Sequence, residues 1–544
     1  MKKSDLVKII AISAVAAAAV AGGAILISQY RKNKKEGEEK AIRIAGANAY
    51  IAGGGMSAYA AALYLVRDCG LKPENIHVYA NRVYERGNAE TGYICRRGKI
   101  INEKKSPNFF ELINDVRSLD IADLTVCDEI LNIYTARGAL RPITFIEEDG
   151  NILDISKIRL DKEYRRVIIN LFREKKEDLI ITPLCSAFSD EFFDTTFWKL
   201  VSASYGFSET SNAYEFVNAL VHIDDALSGT LPADFDRSEE ILEPLKAHLK
   251  KLGVDVCEGA EVTDIDFDGD RADSILYNDN GVRKAVYLNE NDICILPTDE
   301  LADCETFGSF NESAPKGFGV PYLLWEKLAE KHYAFKNPSA LFAEDDENMS
   351  EEFTITLSNH LLPELIDRVT AGALGRDGVL VLDNSNWKMT ICAVPSSHFK
   401  DQSDDTAIIW GTASRFDREG EYCEKPMTDC SGAEILYELI SCLNLKEAWD
   451  DIRETVINVI PCHRRYDKAY LAAVPSKLEI IPTGLSNFAV SGEFVYGNGS
   501  VFTEEFAVTT AKQAAYTLAD NKKRVYKSNK VSISGIKRKL RKGF

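Results

Sequence analysis

The run Ala49–Ala61 limits the fold of this chain more than any other segment. An apolar strand enters a glycine turn, and a helix of small residues leaves it in the pattern Gly-x-Gly-x-x-Ala. Such a turn brings the backbone and the free N–H groups of the helix N-terminus close to a pyrophosphate. The segment predicts a dinucleotide-binding βαβ unit, with a merely tight strand-helix turn as the alternative. Gly53 would permit the tight turn, Gly55 would let the backbone approach the pyrophosphate, and Ala58 would keep the helix close to the strand. The predicted cofactor-binding residues of this segment are Gly53, Gly55, Met56, Ser57 and Ala58.

The second strand of this unit is predicted over residues 75–80. In dinucleotide folds such a strand normally ends in Glu or Asp, whose carboxylate holds the ribose hydroxyls. Ala80 stands at that place here and Asn81 follows it. Asn81 is therefore the candidate for a weaker ribose contact.

A late strand, predicted within residues 484–493, ends in the glycine-acid pair Gly492 and Glu493. Flavoproteins of the two-dinucleotide-binding-domain type close their cofactor site with such a strand, and the pair lies beside the ribityl-pyrophosphate region. Together with the glycine turn far upstream, this strand favours FAD over NAD as the cofactor.

Charge is distributed unevenly along the 544 residues. The net charge of −19 argues against general nucleic-acid binding. After Asp520, in contrast, the chain holds ten Lys/Arg and no acidic residue, which predicts either a solvated end or attraction to an anionic membrane surface. Twelve cysteines and seven histidines show no metal-ligand spacing, so we expect free thiols and no metal site.

The N-terminus contains an uncharged stretch of nineteen residues, Ile9–Ile27, flanked by lysines and arginines. As a helix it would span about 28 Å at ~1.5 Å per residue, close to the thickness of a bilayer core. We expect a single N-terminal transmembrane anchor, with a cleaved signal peptide as the alternative. More Lys and Arg residues follow the stretch than precede it, and basic residues favour the cytoplasmic side of a membrane. We therefore expect the catalytic domain to be cytoplasmic.

The expected fold class is α/β, an FAD-binding Rossmann-like fold of the two-dinucleotide-binding-domain type. A mainly helical lid and a mixed α+β substrate domain complete it. The aromatic-rich helical stretch 160–225 is either packed core or the wall of an apolar substrate tunnel. The predicted segments are an anchor (1–30), a charged linker (31–45), a first FAD-binding segment (46–185), a helical lid (186–235), a second FAD-binding segment (236–310), a substrate domain (311–480), a closing segment (481–520) and a basic tail (521–544).

The chain resembles the oleate hydratase family, once called myosin-cross-reactive antigens, over roughly residues 46–520. The resemblance implies further cofactor contacts at Arg96, Arg97, Gly98, Phe502 and Thr503. The matching segments are Ala49–Asp68, Gly92–Lys99, Asp383–Met389, Lys425–Leu436, Ile460–Cys462, Asn487–Val495 and Val501–Phe506.

This resemblance implies a lyase that adds water across the cis double bond of an unsaturated fatty acid such as oleate. The product is a hydroxy fatty acid, and the FAD of the family organises the active site without carrying net electrons. The reaction needs an acid that protonates an alkene carbon, a carboxylate that polarises water, and a dry apolar tunnel. An unsaturated fatty acid is thus the expected partner, and a homodimer is an open expectation.

The chain departs from the family at the expected catalytic groups. The family's Arg-Gly-Gly-Arg pattern and the water-activating Glu three positions on become Arg96–Lys99 followed by Asn102. Asn102 cannot act as a base, and the adjacent Glu103 is turned by ~100° on a helix.

Two further segments differ from the family. Residues 81–88 replace its second glycine-rich loop, and the pair Phe197–Trp198 lacks the proton-donating Tyr that normally follows it. The nearest substitutes are Tyr205 and Glu209. The candidate catalytic residues are therefore Asn102, Glu103, Tyr205 and Glu209.

Three functions remain open from the sequence. The first is a membrane-anchored, FAD-dependent fatty-acid hydratase. The second is a catalytically lapsed lipid- or nucleotide-binding protein that keeps the fold. The replacement of the expected catalytic groups agrees with this second function. The third is an FAD-dependent oxidoreductase, which the generic fold permits but no Cys-x-x-Cys pair supports.

Overall fold

The structure is a computed structural model, and its elements are numbered in chain order. It describes residues 46–81, 85–137, 141–153, 155, 158–222, 235–299, 304–316, 320–335, 349–375, 378–465, 468–474, 477–526 and 533–542.

The strands are β1 (Ala49–Ile51), β2 (Ile76–Ala80), β3 (Gly87–Asn88), β4 (Gly92–Tyr93), β5 (Ile143–Ile146), β6 (Ile152–Leu153), β7 (Asp255–Glu258), β8 (Ala260–Asp268), β9 (Arg271–Asp279), β10 (Val282–Tyr287), β11 (Ile293–Pro297), β12 (Cys304–Phe307), β13 (Ser350–Leu357), β14 (Val379–Leu382), β15 (Met389–Val394), β16 (Ala407–Ala413), β17 (Val456–Arg465) and β18 (Phe488–Ser491).

The helices are α1 (Met56–Arg67), α2 (Pro107–Ile113), α3 (Val126–Arg137), α4 (Lys162–Leu171), α5 (Lys176–Ile180), α6 (Leu184–Ala187), α7 (Asp190–Phe193), α8 (Thr196–Tyr205), α9 (Ala213–Val221), α10 (Glu243–Leu252), α11 (Val320–Lys331), α12 (Leu361–Val369), α13 (Gly432–Cys442), α14 (Trp449–Thr455), α15 (Glu504–Leu518) and α16 (Ile533–Lys542). A π-helical turn, Ser238–Leu242, leads directly into α10.

A parallel sheet of five strands in the order β18-β11-β1-β2-β7 carries the glycine turn. Its central strands β1 and β11 are buried along their whole length, as expected where helices cover both faces of a parallel sheet. Helices α1 and α15 pack together on one face, and both are rich in alanine at the contact, which lets their backbones approach closely. The sheet thereby fixes the N-terminus of α1 at the carboxyl edge of the strands.

A mixed sheet of eight strands forms a second layer, in the order β12-β17-β13-β16-β15-β14-β5-β6. Strands β13, β15 and β16 are entirely buried, and α13 lies against β17. Strand β5 pairs in parallel with β14, so the segment before residue 185 contributes to both large sheets. The domain boundaries expected from the sequence stay predictions.

The helices α4–α9 form the lid, and their aromatic side chains pack mostly on one another. Phe188 and Phe192 stack with ring centroids 3.9 Å apart, and Phe193 meets Trp198 edge-on at 4.9 Å. The predicted lid extends to residue 235, but residues 223–234 lie outside the described residues. An α/β Rossmann-like fold with a helical lid and a mixed-sheet layer is therefore present, and the predicted fold class is confirmed.

The predicted localisation, a protein anchored in the membrane by one N-terminal helix, is wrong. In the part of the chain that the structure describes, no helix is both long enough and apolar enough to cross a bilayer. The predicted anchor (1–30) and linker (31–45) lie outside the described residues.

A solvated end was one of the two expectations for the basic tail, but part of this tail forms helix α16. Helix α16 contacts α4, and its apolar residues Ile536 and Leu540 are buried in the same hydrophobic core as Ile168 of α4. The periodicity of α16 explains this packing, because residues four apart lie on one face of a helix.

Candidate functional site

The glycine turn joins β1 to α1 at the carboxyl edge of the parallel sheet. Gly55 has φ 95° and ψ −173°, a conformation essentially restricted to glycine. A β-carbon placed on Gly55 would lie 2.8 Å from the β-carbon of Asp299. Glycine is therefore required both by the backbone conformation and by the close approach of Asp299.

Asp299 occupies the N-terminus of α1, where a cofactor phosphate is expected. The backbone N–H of Ser57 donates to Asp299 Oδ2 at 3.0 Å, and the Ser57 hydroxyl donates to the same oxygen. Asp299 is only 8% exposed, and burial raises the pKa of its carboxyl to about 7, against the lowering effect of the bonds from Ser57. An acidic group of the chain itself thus accepts one of the N–H groups that are free at the helix N-terminus.

A cavity of about 100 Å³ adjoins this carboxylate; we call it the cofactor cavity. Its lining includes the loop Arg96–Lys99, Arg237, Asp299, Glu493 and Phe502. It lies beside the residues that precede α10, and Asp299 connects it to Ser57 at the glycine turn. Of the residues predicted to bind cofactor, those in this loop, Glu493 and Phe502 are brought together here.

The basic groups of the cofactor cavity already pair with carboxylates. Arg96 Nη2 lies 2.8 Å from Glu305 Oε2, and Lys99 pairs with Glu493. The guanidinium of Arg237 binds Glu504 at the start of α15, with one N–O distance of 3.0 Å. A phosphate entering the cavity has to compete with these internal partners.

The remaining predicted cofactor residues lie around the same sheet edge. The segment Gly53–Ala58 forms the turn and the start of α1, and Gly492 follows β18 with φ 101°. Thr503 immediately precedes α15, and its hydroxyl donates to the Ser500 carbonyl at 2.7 Å instead of capping the helix. Asn81 is exposed just after β2, where it donates to Glu261 at 3.3 Å.

The groups at this sheet edge are of the kind that bind a dinucleotide, because basic side chains line the cavity and the N-terminus of α1 lies next to it beyond Asp299. The volume does not fit in the present conformation. Ligand pockets for molecules of drug size run to about 300–1,000 Å³, and the cofactor cavity holds about 100 Å³. Cofactor entry therefore requires Asp299 and the cavity walls to move.

A second cavity of about 400 Å³ lies between α8 and the eight-stranded sheet; we call it the lid cavity. Aromatic and charged side chains line it. Among the charged residues, Lys199 binds Asp383 at 2.6 Å, and Arg415 binds Glu209 at 3.3 Å. The aromatic residues of the lining are Phe193, Trp198, Phe207 and Phe416.

A cluster of four aromatic rings connects the linings of the two cavities, because Phe207 lines the lid cavity and Tyr470 and Phe502 line the cofactor cavity. Tyr205 lies 4.7 Å from Phe502, and Phe207 lies 5.6 Å from it, measured between ring centroids. Tyr470 packs on the third side at 5.9 Å. We refer to Tyr205, Phe207, Tyr470 and Phe502 as the aromatic partition.

The four predicted catalytic residues are not brought together. Asn102 lies in a loop and accepts from the Lys104 N–H at 3.1 Å, and Glu103 faces a separate surface depression beside Arg67. Tyr205 is 2% exposed and donates to the Ala219 carbonyl at 3.1 Å. Of the four, Glu209 lines the lid cavity, and all four roles stay predictions.

Sequence reasoning missed Asp299, Arg237 and Glu504. A signal for Asp299 was present, because it follows the buried strand β11 by two residues. The carboxyl ends of neighbouring parallel strands lie at one sheet edge, so a residue after β11 comes close to the turn after β1.

One acidic cluster among the described residues has the spacing of metal ligands, formed by Asp120, Glu129 and Glu240. Lys400 already binds Asp120, and its ammonium lies 3.2 Å from Glu240. The lysine supplies the positive charge that these carboxylates require.

The fold is of Rossmann type with a helical lid, and its glycine turn is of the kind that binds dinucleotides. The chain belongs to the MCRA family, whose model matches residues 46–516. It is 25% identical to the oleate hydratase of Streptococcus pyogenes serotype M49 (strain NZ131) over 507 residues, covering 88% of this chain and 86% of that protein. It is also 25% identical to the linoleate hydratase of Lactiplantibacillus plantarum, covering 88% of this chain and 95% of that protein.

Among solved structures, an oxidoreductase from Methanosarcina mazei matches with a TM-score of 0.46 and 13% identity. The match covers 86% of this chain and 100% of that chain. A likeness at this level carries no argument about function.

Proposed function

We propose that this protein is an FAD-binding fatty-acid hydratase that converts an unsaturated fatty acid such as oleate to a hydroxy fatty acid. The observation that carries the proposal is the arrangement of two cavities on either side of the aromatic partition. One is lined by basic side chains and by Asp299, which contacts the N-terminus of α1, and the other is lined by aromatic and charged side chains. Membership of the MCRA family supports the proposal, as do two relatives named as hydratases.

FAD is the proposed occupant of the cofactor cavity. The N-terminus of α1, with Gly55 and Ser57, would hold the pyrophosphate, and Glu493 would lie beside the ribityl region. The resemblance to oleate hydratases implies that bound FAD supplies an ordered surface for the reaction and no net electrons. The chain's own role is to close the parallel sheet around the site through β11 and β18.

The fatty acid is the proposed occupant of the lid cavity. An acyl chain would lie on the aromatic wall formed by Trp198, Phe207 and Phe416, where burial of apolar surface stabilises binding. The ammonium of Lys199, which lines the same cavity, suits the carboxylate of the substrate. Such an arrangement orients the chain with its apolar end toward the partition.

Hydration adds a proton to one alkene carbon and hydroxide from water to the other. The reaction needs a carboxylate that polarises water, and Glu209 is our candidate because it lines the lid cavity. Arg415 holds its carboxylate in position at 3.3 Å. Asn102, Glu103 and Tyr205 lie elsewhere, and their roles stay predictions.

A specific observation favours the second function, a lipid- or nucleotide-binding protein without catalysis. The four predicted catalytic groups lie apart, and the Asp299 carboxylate stands where a cofactor phosphate is expected. An FAD-dependent oxidoreductase stays the third alternative. Contact of the basic tail with an anionic membrane surface and formation of a homodimer also stay predictions.

The test is incubation of the full chain with FAD and oleate, followed by mass spectrometry of the lipid and absorbance of the flavin. A product heavier by one water supports the hydratase. Unchanged oleate with bound flavin favours the non-catalytic alternative, and a product lighter by two hydrogens with bleached flavin favours the oxidoreductase. Glu209→Gln is the matched variant, because it keeps the size of the side chain and removes the carboxylate.

A further inference from the structure

At the N-terminus of α1, Ser57 donates to a residue more than two hundred positions away in sequence. Asp299 accepts both the backbone N–H and the hydroxyl of Ser57, with |i−j| = 242. Neither donor is left for a phosphate while this carboxylate is in place. The close approach that Gly55 permits is used by Asp299 itself, whose β-carbon would lie 2.8 Å from an added methyl.

The surroundings of Asp299 hold it by hydrogen bonding more than by charge. From the segment after β18, Glu493 faces it as a like charge, and Lys99 neutralises Glu493 in turn. From the segment before α10, Arg237 exerts a weaker attraction, since its guanidinium binds Glu504 of α15. Helix α1 contributes the two donors of Ser57.

We propose that Asp299 is an internal occupant of the phosphate position, and that its displacement sets the affinity of this chain for dinucleotide diphosphates. The inference rests on the proposed function, because it concerns the FAD site. Its chemistry is a competition between two anions, a carboxylate and a diphosphate, for the same helix N-terminus.

The competition makes cofactor binding depend on pH. Burial raises the pKa of Asp299 to about 7, so its carboxyl is mostly neutral at pH 6 and mostly charged at pH 8.5. The neutral carboxyl repels a diphosphate less and holds the Ser57 donors more weakly. Affinity for FAD is therefore expected to fall as the pH rises through about 7.

The experiment measures FAD affinity of the full chain by quenching of flavin fluorescence at pH 6 and pH 8.5. Asp299→Asn keeps the shape and removes the charge, and Asp299→Ala also opens the space. We expect both variants to bind FAD at least about tenfold more tightly than wild type at pH 8.5, with little dependence on pH.

Asp292→Asn is the matched control. Asp292 is also buried, precedes the same strand β11, and accepts hydrogen bonds from Asn48 and Asn289. It lies at the opposite edge of the sheet from the glycine turn. The control is expected to leave FAD affinity and its pH dependence unchanged.

Thermal unfolding with inorganic pyrophosphate separates this inference from the FAD proposal. Asp299→Ala leaves the Ser57 donors without their acceptor, so pyrophosphate should raise the melting temperature of this variant more than that of wild type. Pyrophosphate rescue without FAD binding by any variant would support the inference and refute FAD as the cofactor. Equal FAD affinity of wild type and both Asp299 variants at both pH values would overturn the inference and leave FAD in place.

Discussion

The close approach of Gly55 to Asp299 gives a stability change that can be worked out from the structure. Gly55→Ala forces a non-glycine residue into a backbone region that costs about 1–3 kcal/mol. The added methyl also meets the Asp299 β-carbon at 2.8 Å, and such overpacking costs about 1–3 kcal/mol. We expect Gly55→Ala to lower the free energy of unfolding by about 2–6 kcal/mol.

Gly70→Ala is the control for backbone strain. Gly70 also has a positive φ of 76°, but a β-carbon there meets nothing within 4 Å. We expect a loss of only about 1–2 kcal/mol. Both substitutions restrict the unfolded chain to the same extent, so that effect cancels between them.

A double-mutant cycle isolates the contact between the two residues. Asp299→Gly removes the β-carbon that Gly55→Ala would meet, so the cost of the second change should fall by about 1–3 kcal/mol in that background. Urea unfolding followed by circular dichroism measures all four proteins. Additive losses would refute the argument, because they would show that Asp299 does not pack on the glycine turn.

Three further predictions concern the core, the pH dependence and the lid cavity. Phe192→Ala should lower the free energy of unfolding by about 3–5 kcal/mol in urea titrations, because Phe192 is fully buried, whereas Leu119→Ala at an exposed site should change it little. Burial raises the pKa of Glu351 and of Glu505 to about 7, above the unfolded value of 4.5; their stabilising contribution is present below pH 4.5 and is lost as the pH rises to about 7. Glu351→Gln should therefore reduce the loss of melting temperature between pH 4.5 and pH 8, and an unchanged slope would contradict this assignment. Glu209→Gln should abolish hydration of oleate while FAD affinity stays at the wild-type value, and full activity would exclude Glu209 from the reaction.

The glycine turn allowed the parallel sheet to be predicted from sequence. The strand before it, the helix after it and the strand at 75–80 all form, and the late strand within 484–493 joins the same sheet as β18. These elements were accessible because each has a local signature in residue type and spacing. The resemblance to oleate hydratases supplied the family, which the match over residues 46–516 confirms.

The contacts of the functional site were harder to predict from the sequence, because they join segments that are far apart in the chain. Asp299 meets Ser57 across 242 positions, and Arg237 meets Glu504 across 267. Local pattern carries no information on such pairs. The register of β5 against β14 was equally hidden, since both strands are short apolar runs that fit many partners.

The parallel sheet also has a consequence for the order in which the chain is made. Strand β1 and helix α1 come from the start of the described chain. Helix α15, which packs on α1, and strand β18, which pairs with β11, come from near its end. At about 5–20 residues per second, translation needs on the order of a minute to pass from α1 to α15. During that time the alanine-rich face of α1 has no helix to pack on. A nascent chain released before β18 would therefore retain an unpaired strand edge at β11 and would aggregate. The parallel sheet is complete only after the last strand has been synthesised.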